Sequence, residues 1–148
     1  MSCILKEKGK RMIGLDTGFF VKLLEGDKKA ISIWNSLVND SEEAVISCLT
    51  LFELERLSLK GKIAREGIDI VFEAINTVCL VNWLDNREVL AFAAKLSNSI
   101  GLHATDSLIL SGFLISGAST IYTTDSDMES YRKKGVKIVN LYVNTENG

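Results

Sequence analysis

Four carboxylates, Asp16, Glu53, Asp106 and Asp125, stand beside junctions between apolar runs and helix-like patterns, in "IGLDT", "SCLTLFEL", "HATDSLIL" and "IYTTDSDM". Brought together with no Lys or Arg among them, such groups would repel and raise one another's pKa, so a cation has to sit between them. Donors that are all oxygen select a hard divalent ion, Mg²⁺ or Mn²⁺, over zinc or copper. An ion held in this way activates a water and takes up charge on a phosphate undergoing in-line displacement. The chemistry implied is hydrolysis of a phosphate ester, provided that the fold makes these positions converge.

Each acid also has a purely structural reading. Asp16 could cap a helix N-terminus, and Thr50-Leu-Phe-Glu53 fits a capping box in which Glu53 reaches back to the Thr50 amide. Asp125 and Asp127 fit an Asx-type turn, and Asp106 suits the positive end of a helix dipole. Glu55 competes with Glu53, because the two flank opposite sides of the stripe formed by Leu51, Leu54 and Leu57. Periodicity does not decide between them; Glu53, nearer the strand end, is preferred. Asp106 heads a face continued by Ile109, Leu110 and Phe113, so it is not expected to point freely into water. His103, one turn earlier, reads as a capping or packing residue and is left out of the site. Trp34 and Trp83 lie within apolar patterns and are expected in the core.

The elements that must position these acids alternate along the chain. Residues 12–15 read as a strand, 17–25 as a helix closed by Gly26, and Asp27 opens a second helix that runs to Asn39-Asp40. Residues 44–48 form a second strand and 51–63 a helix; after Gly67, 68–76 is helical and 77–81 a third, buried strand. Helices over 86–99, stopped at Gly101, and 103–116 precede a strand at 119–122. A short helix at 128–134, ended by Gly135, and a strand at 136–141 complete the order. Short apolar runs alternating with helices predict an α/β fold: a three-layer α/β/α sandwich around a mostly parallel sheet of about five strands. In such sheets ligands bind beyond the carboxyl ends of the strands, and that is where Asp16, Glu53 and Asp125 fall.

The 148 residues suit one domain, expected over 12–148, with 1–11 as an N-terminal extension. Cys3, Cys48 and Cys79 are far apart and read as reduced core thiols of a cytoplasmic protein. The stretch 107–122 is too broken and too short to span a membrane, and 1–11 is not a secretory signal. Seventeen basic against nineteen acidic residues leave a net charge of −2, which argues against a broad nucleic-acid-coating surface. Two basic clusters, Arg56/Lys60/Lys62/Arg65 and Arg132/Lys133/Lys134/Lys137, could still form a local rim or simply be solvated faces.

The four quoted motifs, in that order, resemble the acidic motifs of PIN-domain ribonucleases, with the nearest likeness to the single-domain toxins of VapC type, from Met12 onward. The resemblance implies a metal-dependent endoribonuclease leaving 5′-phosphate ends, with Asp16, Glu53, Asp106 and Asp125 as the catalytic and metal-binding acids and Mg²⁺ or Mn²⁺ as cofactor. It further implies Asp127 as an auxiliary ligand, Thr17 and Thr123 as residues that order the carboxylates, an RNA substrate, a homodimer, and a cognate antitoxin that covers the groove. Gly18 stands where the toxins often have Ser or Asn, and Met128 where an aromatic residue is common.

Other α/β chemistries fit less well. A haloacid-dehalogenase-type phosphatase would want an Asp at Gly18, a receiver domain an acidic pair after its first two strands, and no Gly-rich phosphate loop occurs. The rival from another class is a catalytically idle PIN-like module that binds RNA or protein.

Overall fold

The structure is a computed structural model that describes residues 10–39 and 41–142. Residues 1–9, with Cys3 and most of the expected extension, and Asp40 lie outside them. The order is β1 (Arg11–Leu15), α1 (Thr17–Leu24), α2 (Lys28–Val38), β2 (Glu42–Ser47), α3 (Cys48–Leu59), α4 (Arg65–Val78) and β3 (Cys79–Asn82). Then follow α5 (Arg87–Ile100), α6 (Ala104–Ile115), β4 (Thr120–Thr123), a 3-10 turn (Ser126–Ser130) and β5 (Lys137–Asn140). The five strands form one sheet in the order β3-β2-β1-β4-β5, and every pairing is parallel.

Successive strand residues point to opposite faces, and each face carries its own core. Ile13 and Leu15 of β1 with Ala44 and Ile46 of β2 pack under Phe19, Phe20, Ile33, Leu54 and Ile75 from α1 to α4. Met12, Val45 and Ile121 face the other way, onto Leu96 of α5 and Ile109, Leu110 and Phe113 of α6. The expected three layers follow from this alternation. Gly14 points to the second face, where an added Cβ would lie 2.7 Å from the Phe113 ring. The missing side chain lets α6 press directly onto β1.

Several expectations change. β3 starts two residues later than predicted and is half-buried, because α4 runs on to Val78 and β3 is an edge strand with a neighbour on one side only. Trp83 is 60% exposed just beyond that edge, while Trp34 does pack on Phe19 and Phe20, at ring distances of 6.5 and 6.2 Å. α3 begins at Cys48 with Ser47 as its cap, so Thr50 is already inside the helix and no capping box forms with Glu53. The helix expected at 128–134 is only the 3-10 turn, since Met128 is the one fully buried side chain there and Tyr131 packs on the core only in part. Cys48 and Cys79 are free but half-buried rather than core residues, and burial pushes the Cys79 thiol up to about 12. Among the described residues no helix is long and apolar enough to cross a membrane.

Candidate active site

Parallel pairing puts the carboxyl ends of β1 and β4 side by side, and the bond from Asp16 N–H to Tyr122 O, 3.0 Å, extends their ladder by one residue. Asp16 is therefore fixed as both the end of β1 and the cap of α1. It is buried, 7% exposed, and accepts from the Thr17 N–H at 2.8 Å. Its other oxygen accepts from Thr123 Oγ1 at 2.7 Å, and that hydroxyl in turn accepts from the Asp125 N–H at 2.9 Å. One buried threonine thus ties the carboxylate after β1 to the backbone after β4. The capping role and a place in an acidic site coincide in Asp16 rather than competing.

Glu53 lies in the second turn of α3 and accepts a hydrogen bond from the Thr17 hydroxyl. With that proton committed, Thr50 Oγ1, 3.0 Å away, donates to Thr17 Oγ1. Glu55 points elsewhere and pairs with Arg65 of α4. Thr50, which the sequence reading assigned to a helix cap, instead holds up the Thr17–Glu53 link; spacing gives no hint of this, because the bond joins residues 33 apart.

α6 runs back along β4, so its first turn lies at the same rim as the strand ends. Ile109, Leu110 and Phe113 anchor its buried stripe, and Asp106, half-buried, extends the stripe to the rim. There an oxygen of Asp106, one of Asp125 and one of Asp127 all lie within 4.8 Å of one another. Asp125 also accepts from the Asp127 N–H at 2.9 Å, the Asx turn that its spacing predicts, and this turn swings Asp127 toward the cluster. His103 is exposed at the α6 cap position and makes no side-chain capping bond, so neither a packing nor a capping role falls to it.

The Gly18 departure has a local cause. A Cβ at Gly18 would lie 1.9 Å from Thr124 Oγ1, so the threonine before Asp125 fills the space a larger residue would need.

Electrostatics agree with crowding. Burial foremost, with the charges of Glu53 and Asp125 adding to it, pushes Asp16 up to about 6, against the pull of its bonds from Thr123 and Thr17. Asp106 is likewise pushed up to about 6, by burial first and then by the facing Asp125 carboxylate. Among the described residues the ion pairs engage Glu42, Glu55 and Asp69, not these acids. A set of hard oxygen donors, two of them reluctant to ionise and none facing a protein cation, fits a divalent metal ion.

A PIN domain family model matches residues 13–134. No curated protein sequence matches the chain. Among solved structures, VapBC2 from Rickettsia felis bound to a DNA fragment from their promoter is similar with a TM-score of 0.68 at 16% identity, over 87% of this chain and 98% of that one. VapBC-1 from nontypeable Haemophilus influenzae gives 0.64 at 18% identity, over 88% and 98%, and a toxin-antitoxin complex from Klebsiella pneumoniae 0.65 at 16%, over 86% and 95%. Identities this low speak for the fold, and the all-parallel five-stranded sheet is the fold they share. With the family model spanning most of the sequence, from β1 past the last acidic turn, the chain belongs to the PIN domain family.

Proposed function

We propose that this protein is a metal-dependent endoribonuclease, with Asp16, Glu53, Asp106 and Asp125 as its catalytic and metal-binding acids and Mg²⁺ or Mn²⁺ as the ion. The observation that carries the reading is the meeting of Asp106, Asp125 and Asp127 oxygens within 4.8 Å beside the buried Asp16. When bound, a hard divalent ion supplies an activated water and neutralises charge on the scissile phosphate. The chain's own residues prepare for it. Thr123 and the Thr17 N–H aim Asp16 at the rim, the Thr17 hydroxyl steadies Glu53, and the Asx turn presents Asp125 and Asp127 together. Such preorganised charge is where catalysis of phosphoryl chemistry gains most.

Asp16→Asn tests this. The variant keeps the size and one acceptor of the side chain, so it should fold, with unchanged circular dichroism, and lose Mn²⁺-dependent cleavage of RNA by at least about a hundredfold. Cleavage retained by the folded variant would refute the assignment.

By likeness to the VapBC complexes, the same reading makes the chain the toxin of a toxin-antitoxin pair. It covers residues 12–148 as one domain, of which the family model matches 13–134. An apolar cleft of about 330 Å³ between α1 and the start of α4, lined by Val21, Leu24, Ile63 and Ala64, supports a protein partner of this kind. A homodimer is part of the proposal as well, and the exposed Leu80 and Trp83 at the β3 edge support it. Sedimentation of the purified chain should give twice the 16.3 kDa chain mass, and a monomer would remove that part.

A further inference from the structure

The 3-10 turn that carries Asp127 leads straight into the most basic stretch of the chain. Between that turn and β5 lies an open groove of about 550 Å³. Tyr131, Val136 and Ile138 line it with half-buried apolar surface that rests on the second core. Arg132, Lys133, Lys134 and Lys137 stand around them, exposed, and among the described residues none of the four makes an ion pair. Glu129, the one acid of the lining, is engaged by Asn140 Nδ2 at 3.0 Å. The other basic cluster differs in this respect, since its Arg65 is bound by Glu55 and Asp69.

Four exposed cations side by side, free of ion pairs among the described residues, make a local positive patch on a chain of net charge −2, and such a patch attracts a polyanion. An apolar floor with an aromatic ring inside a basic rim matches one polyanion class in particular. Phosphates meet the rim, and an unstacked base meets the tyrosine face, as in single-strand binding sites. A duplex keeps its base faces stacked inside and offers nothing to that floor. One end of the groove is close to the acids, for Asp127 and Tyr131 are four residues apart across a 3-10 turn that rises about 2 Å per residue, or roughly 8 Å, and from there the groove follows the β5 edge to Lys137, which pairs with Thr120 at the amino end of β4. One strand can engage both.

Resting on the nuclease reading above, we propose that this β5-edge groove is where a single-stranded RNA is held as it enters the acidic site, its backbone on Arg132, Lys133, Lys134 and Lys137 and one base on Tyr131.

The test is equilibrium binding of the full chain to a fluorescent single-stranded oligoribonucleotide in EDTA, where no cleavage can occur. Replacing Arg132, Lys133, Lys134 and Lys137 together by Gln should weaken binding at least about tenfold and lower the slope of log K against log salt by about 2 to 3, at about 0.7 per phosphate contact. A charge-matched control, Lys28, Lys29, Lys60 and Lys62 replaced by Gln, should change both by little. Tyr131→Ala should weaken binding several-fold and Tyr131→Phe should not. Equal losses from the two quadruple variants, unchanged binding by the groove variant, or binding of a duplex as tight as that of the single strand would each overturn the proposal. The two readings fail separately. Groove-dependent binding with no cleavage in Mn²⁺ sinks the nuclease and leaves the groove, whereas Mn²⁺-dependent cleavage with groove-independent binding does the reverse.

Discussion

Asp16 is held in a state that its surroundings disfavour. Its carboxyl, ordinarily near 3.8, is raised to about 6, chiefly by burial. Well below pH 3.8 it is protonated whether the chain is folded or not. Between about pH 3.8 and 6 the unfolded chain has given up the proton while the folded one keeps it, so the folded state binds more protons and stability falls as pH rises. Above pH 6 the full cost, roughly 3 kcal/mol, is present in the metal-free protein. Asp16→Asn removes the charge but not the shape. In EDTA its melting temperature should therefore exceed that of the wild type by several degrees at pH 7 and by only about a third as much at pH 4.5. Subtracting the variant isolates Asp16 from the other carboxylates, and a gap that failed to widen with pH would show that its burial carries no such cost. A carboxylate destabilised by its own fold gains the more from a cation, which is what the proposed site would use.

The placement of Asp106 depends on how closely α6 can approach the sheet, and Gly14 controls that distance. A methyl group there would sit 2.7 to 3.0 Å from three Phe113 ring atoms in a fully buried contact. Gly14→Ala should cost about 1 to 3 kcal/mol in denaturant unfolding. It should also lower cleavage, because Asp106 lies two turns before Phe113 on the helix that must move. Adding Phe113→Leu should recover part of both losses, and strict additivity of the two changes would disprove the coupling. These relations explain what could be read beforehand. Asp16 and Asp125 come just after their strands, so the short apolar runs "MIGL" and "TIYT" locate them. Glu53 and Glu55 flank one stripe equally, and only Thr17 and Arg65, distant in the chain, separate them. Trp83 sits in an apolar run that stops being interior because the sheet ends at β3, a fact about neighbours and not about the run itself. The 3-10 turn departs from the expected helix for the opposite reason, since "SDMESYRKKG" has helix-forming residues but only Met128 to bury fully, with Tyr131 half-buried beside it.

The molecule as a whole separates its charges, with Asp16, Glu53, Asp106, Asp125 and Asp127 gathered at the strand ends and no ion pair to any of them among the described residues. In the proposed site, metal binding and folding would be a single equilibrium. An ion that binds only the folded chain stabilises it by about 2.7 kcal/mol at a hundredfold excess over its dissociation constant. For a chain of this length that is a rise of roughly 5 to 10 °C in melting temperature. The rise should also depend on pH with a definite sign. Asp16 and Asp106 hold their protons up to about 6, so Mn²⁺ at the proposed site would have to displace protons below that value and should bind more weakly there. Thermal unfolding with 1 mM Mn²⁺ against EDTA should thus show a large gain at pH 7.5 and a small one at pH 5. Asp106→Asn should shrink the gain at pH 7.5, and replacing Asp106, Asp125 and Asp127 together by Asn should abolish it. An equal gain at both pH values, or one that survives in the triple variant, would mean that the ion binds elsewhere, and the acidic rim would then have to be explained without a metal.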